Sequence, residues 1–483
     1  MATRVETTGA SEVLSTLTRE GKRRWICPKV SDGRFLRARR WVAWGLIAVF
    51  TLVPYVRLND RPLVLLDVAA RRFTLFGTTF LPTDTVLLAL LMVSIFVLVF
   101  LMTALFGRVW CGWACPQTVY MEFVYRPIER LLGLGRPGSK GTPLARGVKF
   151  VVYLLVSMYL AHTFLAYFVG VERLAQWVRQ SPAQHPAPFF VMLATTAAMM
   201  FDFGYFREQT CIVACPYGRF QSVMLDRDST IVAYDRTRGE PRGKKRAATG
   251  DVALPVLGED EARIGDCIDC RLCVTTCPTG IDIRNGLQME CVNCAQCIDA
   301  CDAVMAKIGR DPGLIRYASQ RELAGESRRR VRPRVAIYAT LLAVLGSLFL
   351  FALATKSLAT VIIVRGRGAP FTVMPDGTVM NRVNVKVTNR TDRPVSYTVE
   401  VVGVPGASAR HEEGMDLGPE EARVIPTSIV VPFDAFSRGR ASAVIRVSDT
   451  EGRFTKDVKY TLMGPGTMVE RSESQKEDDD EEQ

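Results

Sequence analysis

Hydrophobic residues gather along this chain in five long runs separated by charged loops: 41–56, 85–106, 148–169, 188–206 and 335–358. A helix that crosses a bilayer needs about 20 apolar residues. Each run therefore predicts a spanning helix, the first one short and ending near Pro54. Residues 63–81 are apolar as well, but Asp67, Arg71 and Arg72 interrupt them, which predicts a loop or an interfacial segment. Beyond residue 360 the pattern changes to alternation. Residues 382–387, 395–401, 442–447 and 456–461 alternate inward and outward positions, with turn residues such as Pro375-Asp376-Gly377 between them. Regular short strands of this kind predict a β-sandwich. The acidic run 477–482 predicts a solvated, disordered tail.

Charge orients the runs. The formal net charge is +12, yet no stretch pairs a basic groove with interleaved aromatic residues, so nucleic acid is excluded as a partner. The cations crowd into alternate loops. Lys22, Arg23, Arg24, Lys29, Arg34, Arg37, Arg39 and Arg40 precede the first run, and six more from Arg108 to Arg146 separate the second from the third. Lys244, Lys245, Arg246 and Arg328 to Arg330 lie between the fourth and the fifth, whereas the other side has only Arg61, Arg71, Arg72, Arg173 and Arg179. Positive loops stay in the cytoplasm. The N-terminus is then inside, and five crossings place the C-terminal domain outside, in the periplasm of a bacterial inner membrane. The first twenty residues hold no apolar run, so no cleavable signal peptide is expected.

Cysteine supplies the chemistry. Of thirteen, eight fall within 267–301, a clustering that speaks for metal rather than for a disulfide scaffold. They read Cys267-x2-Cys270-x2-Cys273-x3-Cys277-Pro278 and Cys291-x2-Cys294-x2-Cys297-x3-Cys301, the second followed by Asp302 instead of Pro. This is the bacterial two-cluster ferredoxin spacing, in which the fourth cysteine of each run reaches the other cluster. Cys267, Cys270, Cys273 and Cys301 are thus expected to hold one [4Fe–4S] cluster, and Cys277, Cys291, Cys294 and Cys297 the second. Paired zinc knuckles would gain nothing from the third Cys-x2-Cys step. Two adjacent clusters imply transfer of electrons one at a time.

Four more cysteines belong to an internal repeat. Residues 106–116 read FGRVWCGWACP and residues 206–216 read FREQTCIVACP, one hundred positions apart, each after the second run of a two-run hairpin. Cys111 with Cys115, and Cys211 with Cys215, are spaced to share a helix face. The proline after each second cysteine sets that residue at a helix end or kink. Two halves related in parallel would bring all four thiols together beneath one face of the bundle, where soft sulfur suits Cu(I) better than a hard cation. Simple packing and a redox disulfide within each pair remain open. His162 lies inside the third run, and an ionisable residue there is a candidate metal ligand, although a histidine bonded within the bundle is the commoner case. Met121, Met199 and Met200 are soft enough to ligate copper, although such residues are more often core filler; Asp202 and Glu208 read as a proton relay, a cation site or partners of loop backbone, and Cys27 as incidental. One intramembrane histidine cannot make a bis-histidine haem, and neither a phosphate loop nor a nucleophile triad is present.

The fold class that follows is a membrane protein. It has a five-helix transmembrane bundle, a cytoplasmic ferredoxin-like insertion for two [4Fe–4S] clusters and a C-terminal all-β immunoglobulin-like sandwich. Its divisions are a basic leader (1–40), a four-span bundle with both Cys-x3-Cys-Pro motifs (41–206) and a cytoplasmic segment (207–333) with the cluster domain near 260–305. The fifth helix (334–358), the sandwich (360–466) and the tail (467–483) follow.

Residues 265–302, GDCIDCRLCVTTCPTGIDIRNGLQMECVNCAQCIDACD, closely resemble the cytochrome c oxidase accessory protein family called CcoG, FixG or RdxA. FDFGYFREQTC (201–211), CPYGRFQSVMLD (215–226) and AHTFLAYFVG (161–170) resemble it too, and the likeness extends over nearly the whole chain. The family tends to have an aromatic residue where Cys27 stands. The resemblance implies an oxidoreductase, a cupric reductase that turns Cu(II) into Cu(I) for the copper centre of the cbb3-type oxidase. Cys111, Cys115, Cys211 and Cys215 would then form the copper site, with a soluble cytoplasmic electron donor and with oxidase subunits or copper chaperones as partners. Two other readings compete: a quinol dehydrogenase subunit, whose known relatives lack a β-sandwich after the last span, and a non-catalytic scaffold for oxidase assembly.

Overall fold

The computed structural model describes residues 15–16, 22–58, 61–81, 84–135, 141–243, 265–327, 332–366, 368–391, 393–411 and 416–466. The expected acidic tail and the basic runs 244–246 and 328–330 lie outside the described residues. The chain divides into two units, Met1–Phe349 and Leu350–Gln483.

Four helices among the described residues are long and apolar enough to cross a bilayer: Thr85–Phe106, Pro143–Val169, Pro186–Phe206 and Pro333–Ala354. Their 22, 27, 21 and 22 residues meet the thickness of a hydrocarbon core. Phe96, Phe190 and Leu341 point outward, as expected where the solvent is itself apolar and no hydrophobic effect drives side chains inward. The Pro143–Val169 helix starts earlier than its apolar run because Thr142 caps it, accepting the Ala145 N–H at 3.1 Å, with Pro143 in the first turn.

The count of five is not reached. The first run lies in a helix, Arg34–Leu52, which opens with Arg34, Arg37, Arg39 and Arg40 and is halted by Pro54, and this helix is not among the four. Its beginning is set from elsewhere in the chain. The Asp299 carboxylate accepts the backbone N–H groups of Phe35 (3.2 Å) and Leu36 (2.8 Å), which satisfies donors that every helix start leaves open. Gly33 is required there, since a Cβ would fall 2.2 Å from the Asp299 side chain. Residues 63–81 are more ordered than a loop. They form an antiparallel sheet of Val64–Asp67, Arg72–Leu75 and Thr78–Phe80. Asp67 accepts the Ala70 N–H across its first turn and pairs with Arg173 at 3.1 Å.

Strands Ile231–Tyr234 and Ile315–Ala318 pair antiparallel and bracket the two cysteine runs. Val232, Ile281, Ile283, Ile298, Met305 and Leu314 form the core beneath them.

The second unit is two sheets facing one apolar core. One sheet is ordered Ser408–His411, Ala422–Pro432, Thr378–Asn389 and Ala359–Arg365, with Thr372–Val373 also on Thr378–Asn389. The other is ordered Asp416–Leu417, Val395–Val402, Arg440–Asp449 and Thr455–Met463. Register sets Val385 opposite both Ile425 and Ile363. Val383, Val385 and Val387 alternate inward against Ile445 and Val447 of the facing sheet, the two-residue period of a half-buried strand.

Candidate iron–sulfur and thiol site

The two cysteine runs fold alike. The residues two and four places after the first cysteine have positive φ in both: Asp269 (50°) and Arg271 (52°), then Asn293 (55°) and Ala295 (60°). L side chains seldom take this conformation, so its recurrence marks one loop design used twice. A helix follows each loop, Leu272–Thr275 in the first and Gln296–Lys307 in the second.

Around these loops lie two cavities. Cys267, Cys270, Cys273 and Cys301 line one, with about 350 Å³ of empty space between atoms. Cys277, Cys291, Cys294 and Cys297 line the other, about 330 Å³, with Cys273 at its edge. Each set takes three cysteines from one run and its last from the other. Apolar side chains, Leu314 and Ile315 at the first and Ile281 and Ile283 at the second, close the walls. Among the described residues no three His, Cys, Asp or Glu side chains converge on a single ion position, so the thiols surround spaces rather than points. The donor set and spacing are those expected of a four-iron cluster. Burial pushes the thiols of Cys273, Cys291 and Cys301 up to about 12.

The Cys-x3-Cys-Pro pairs repeat each other in backbone too. Gly107 (φ +60°) and Arg207 (φ +55°) each turn the chain out of a spanning helix. Cys115 and Cys215 are both extended and both precede a proline that starts a new helix. The four thiols are electrostatic neighbours of one another. Burial raises Cys111 to about 11 and Cys211 to about 12, and the other thiols of the group add to it. The Cys111 thiol donates to Gln221 Oε1 at 3.1 Å, and Gln221 Nε2 donates to Thr103 Oγ1 at 3.2 Å. All thirteen cysteines are free in this structure.

The first pair rests directly on the second cysteine run. A Cβ at Gly112 would fall 2.4 Å from the Val292 carbonyl and 2.8 Å from the Cys294 backbone, so only glycine permits this approach. Cys111, Val292 and Cys294 are buried together with Tyr217 beside them. Polar bonds lock the junction. Arg39 Nε donates to the Gly112 carbonyl (2.9 Å), Trp113 Nε1 to the Tyr317 hydroxyl (3.1 Å), and that hydroxyl to the Asn293 carbonyl (2.7 Å). Arg108 reaches the Met289 carbonyl. On the other side Cys211 shares a cavity with Pro278 and Val292, walled by buried charges. Arg126 Nη2 bonds Glu208 (3.2 Å) and the Pro278 carbonyl (3.2 Å). Arg207 and Lys149 hold Glu129 at 3.1 and 2.7 Å.

The sequence singled out Glu208 but not Arg39, Arg108, Arg126, Arg207 or Gln221. Their only signal was charge or amide close to a cysteine motif, which the loops show throughout. His162 stands elsewhere. It lines a cavity with His185, Trp177 and Met192 that no cysteine lines, and its Nδ1 lies 2.7 Å from the Met158 carbonyl of its own helix. Met121 is core, with Met199 and Met200 packed against it. Cys27 lines neither thiol cavity.

Comparison with known proteins agrees with these elements. Residues 206–320 match the family model of a 4Fe-4S dicluster domain, 88–135 that of a 4Fe-4S binding domain, and 349–465 that of the Ig-like fold at the C-terminus of FixG. The chain is 33% identical to the nitrogen fixation protein FixG of Rhizobium meliloti, over 88% of this chain and 89% of that one. It is 33% identical to protein RdxA of Cereibacter sphaeroides, over 81% and 86%. The ferredoxin-type protein NapH of Haemophilus influenzae is 23% identical, over 56% of this chain and 87% of its own.

Proposed function

The chain belongs to the FixG/RdxA family, and from that premise we propose that this membrane iron–sulfur electron-transfer protein reduces Cu(II) to Cu(I) for the copper centre of a cbb3-type cytochrome oxidase. Cys267, Cys270, Cys273 and Cys301 hold one [4Fe–4S] cluster in this reading, and Cys277, Cys291, Cys294 and Cys297 the other. When bound, the clusters supply two one-electron carriers. Copper is the substrate: each Cu(II) gains one electron, ultimately from a soluble cytoplasmic donor, and leaves as Cu(I) to an oxidase subunit or copper chaperone. Cys111, Cys115, Cys211 and Cys215 receive the ion, because thiolates favour the softer, reduced state. Gln221 orients the Cys111 sulfur.

The observation that carries this reading is the seating of Gly112 on Val292 and Cys294. It sets the first thiol pair backbone to backbone against the second run. The same reading takes the Arg34–Leu52 helix as a fifth crossing. Near one end Arg39 bonds Gly112, and near the other the Phe50 carbonyl accepts from Tyr167, close to the end of the Pro143–Val169 helix. The N-terminus and the cysteines are then cytoplasmic and the C-terminal domain periplasmic, as the bias of Lys and Arg between loops requires.

The test is anaerobic reduction of Cu(II) by dithionite-reduced, desalted protein, followed with a Cu(I)-specific chelator. Wild type is compared with a variant carrying Ala at Cys111, Cys115, Cys211 and Cys215, both first checked for about eight iron atoms. Turnover by wild type alone supports the reading. If both are inert while a quinone analogue oxidises the iron–sulfur centres, the protein is a quinol dehydrogenase subunit and the copper assignment falls. Inertness towards both acceptors leaves the scaffold.

A further inference from the structure

Beside the second cysteine run, with Gln296 and Thr276 in its wall, opens a cleft of about 1160 Å³ of empty space, part of it open to solvent. Its walls are the leader at 28–30, the first turns of the Arg34–Leu52 helix and the stretch 122–131. The leader is fastened in place: the Lys29 N–H donates to the Thr275 carbonyl at 2.9 Å, and the Thr276 hydroxyl to the Lys29 carbonyl at 2.5 Å.

Four cations line this cleft, Lys29, Arg39, Arg40 and Arg130. The one carboxylate there, Glu122, is already paired with Arg126. Two lining residues are almost wholly buried, Arg39 at 1% exposure and Gln296 at 6%. Each keeps a buried side-chain N–H group with no hydrogen-bond partner, Nη2 of Arg39 and Nε2 of Gln296. Buried donors in native proteins are satisfied by protein, water or ligand, and unpaired donors within a ring of cations are the complement of an oxyanion. The outer wall is different. Trp44 and Leu131 are exposed there, just where the apolar part of the Arg34–Leu52 helix begins, and tryptophan prefers the level of lipid headgroups.

We propose that this cleft binds the phosphate headgroup of an anionic membrane phospholipid. Arg39 and Gln296 donate to phosphate oxygens, Lys29, Arg40 and Arg130 supply the surrounding positive field, and Trp44 and Leu131 lie along the acyl chains. Basic pockets between helices at a cytoplasmic membrane face recognise lipid in this manner. The site is independent of what the thiol pairs reduce.

Native mass spectrometry of the delipidated holoprotein, titrated in detergent with phosphatidylglycerol, phosphatidylcholine or inorganic phosphate, tests it. One phosphatidylglycerol bound in preference to phosphatidylcholine is the expected result. Each basic residue near a membrane surface contributes enough attraction that its loss weakens binding about fivefold, so an Arg40→Gln/Arg130→Gln variant should bind about thirtyfold more weakly. Both residues are exposed, so this variant keeps its fold and its iron. Arg39→Gln should lose the preference for phosphatidylglycerol, with iron content as the check on folding. Equal binding of the two lipids, or an unchanged double variant, overturns the proposal. Binding of millimolar inorganic phosphate without any lipid adduct also overturns it, and reassigns the cleft to a free phosphate compound.

Discussion

In the β-sandwich, Val383, Val385 and Val387 point inward while Arg382 and Lys386 point out, and the charged pair Arg446–Asp457 (2.8 Å) lies on the surface. In the cysteine-bearing unit the pattern is reversed. Arg39, Arg126, Arg207, Glu129 and Glu208 are buried, and the thiols line cavities rather than packing them. One region places charge in water, where it does little for stability. The other encloses charge, which holds only while every partner is present. The contrast teaches where function sits. Local rules are kept where the chain needs only a scaffold and broken where it needs chemistry.

The strongest way to break the comparison is to remove the iron. Chelation should release hydrogen-exchange protection across 231–243 and 265–318, because the thiol cavities collapse without their contents, while the sandwich strands keep theirs. Equal loss in both regions would show that the two are not independent. Next in size is Arg126→Ala, which removes the hydrogen-bonded partner of Glu208 and leaves it only the longer contacts of Arg207 (3.5 Å) and Arg23 (3.9 Å). It should destabilise the first unit by about 3 kcal/mol in denaturant unfolding. Arg446→Ala in the sandwich should move the transition only slightly, because the pair lies at the solvent surface. Gly112→Ala sharpens the comparison within the first unit. Its Cβ meets backbone at 2.4 Å, so the thiol pair must shift, and Cu(II) reduction should fall about tenfold or more with full iron content. A rate equal to wild type would remove the role given to this contact.

The smallest effect is on pH. The Arg446 hydrogen bond holds Asp457 below the usual carboxylate range, and the Gly418 N–H does the same for Glu421. A depressed folded-state value means stability that is present above the unfolded carboxylate value, about 4, and lost as pH falls through the depressed one. Exchange protection of the sandwich in the full chain should therefore be flat from neutral pH down to about 5 and decline only below the unfolded carboxylate value. A decline beginning near neutrality would mean that another group controls it.

Apolar run length, two-residue alternation and cysteine spacing are local, so they were legible from the chain alone. They predicted five crossing helices, of which four are long and apolar enough among the described residues, the strands of the sandwich, and two crosswise sets of four cysteines that line separate cavities, with Cys273 lining both. The hundred-residue repeat predicted that the two Cys-x3-Cys-Pro motifs fold alike, because matched motifs at matched helix ends do so. What spacing cannot carry is any partner distant in sequence. The start of the Arg34–Leu52 helix belongs to Asp299, and the charge of Glu208 is balanced by Arg126. Gly112 reads as an ordinary residue between two tryptophans until Val292 is packed against it. Tertiary structure decided these because a buried charge or a close backbone approach is defined by what arrives from elsewhere in the chain, and no local pattern encodes that neighbour.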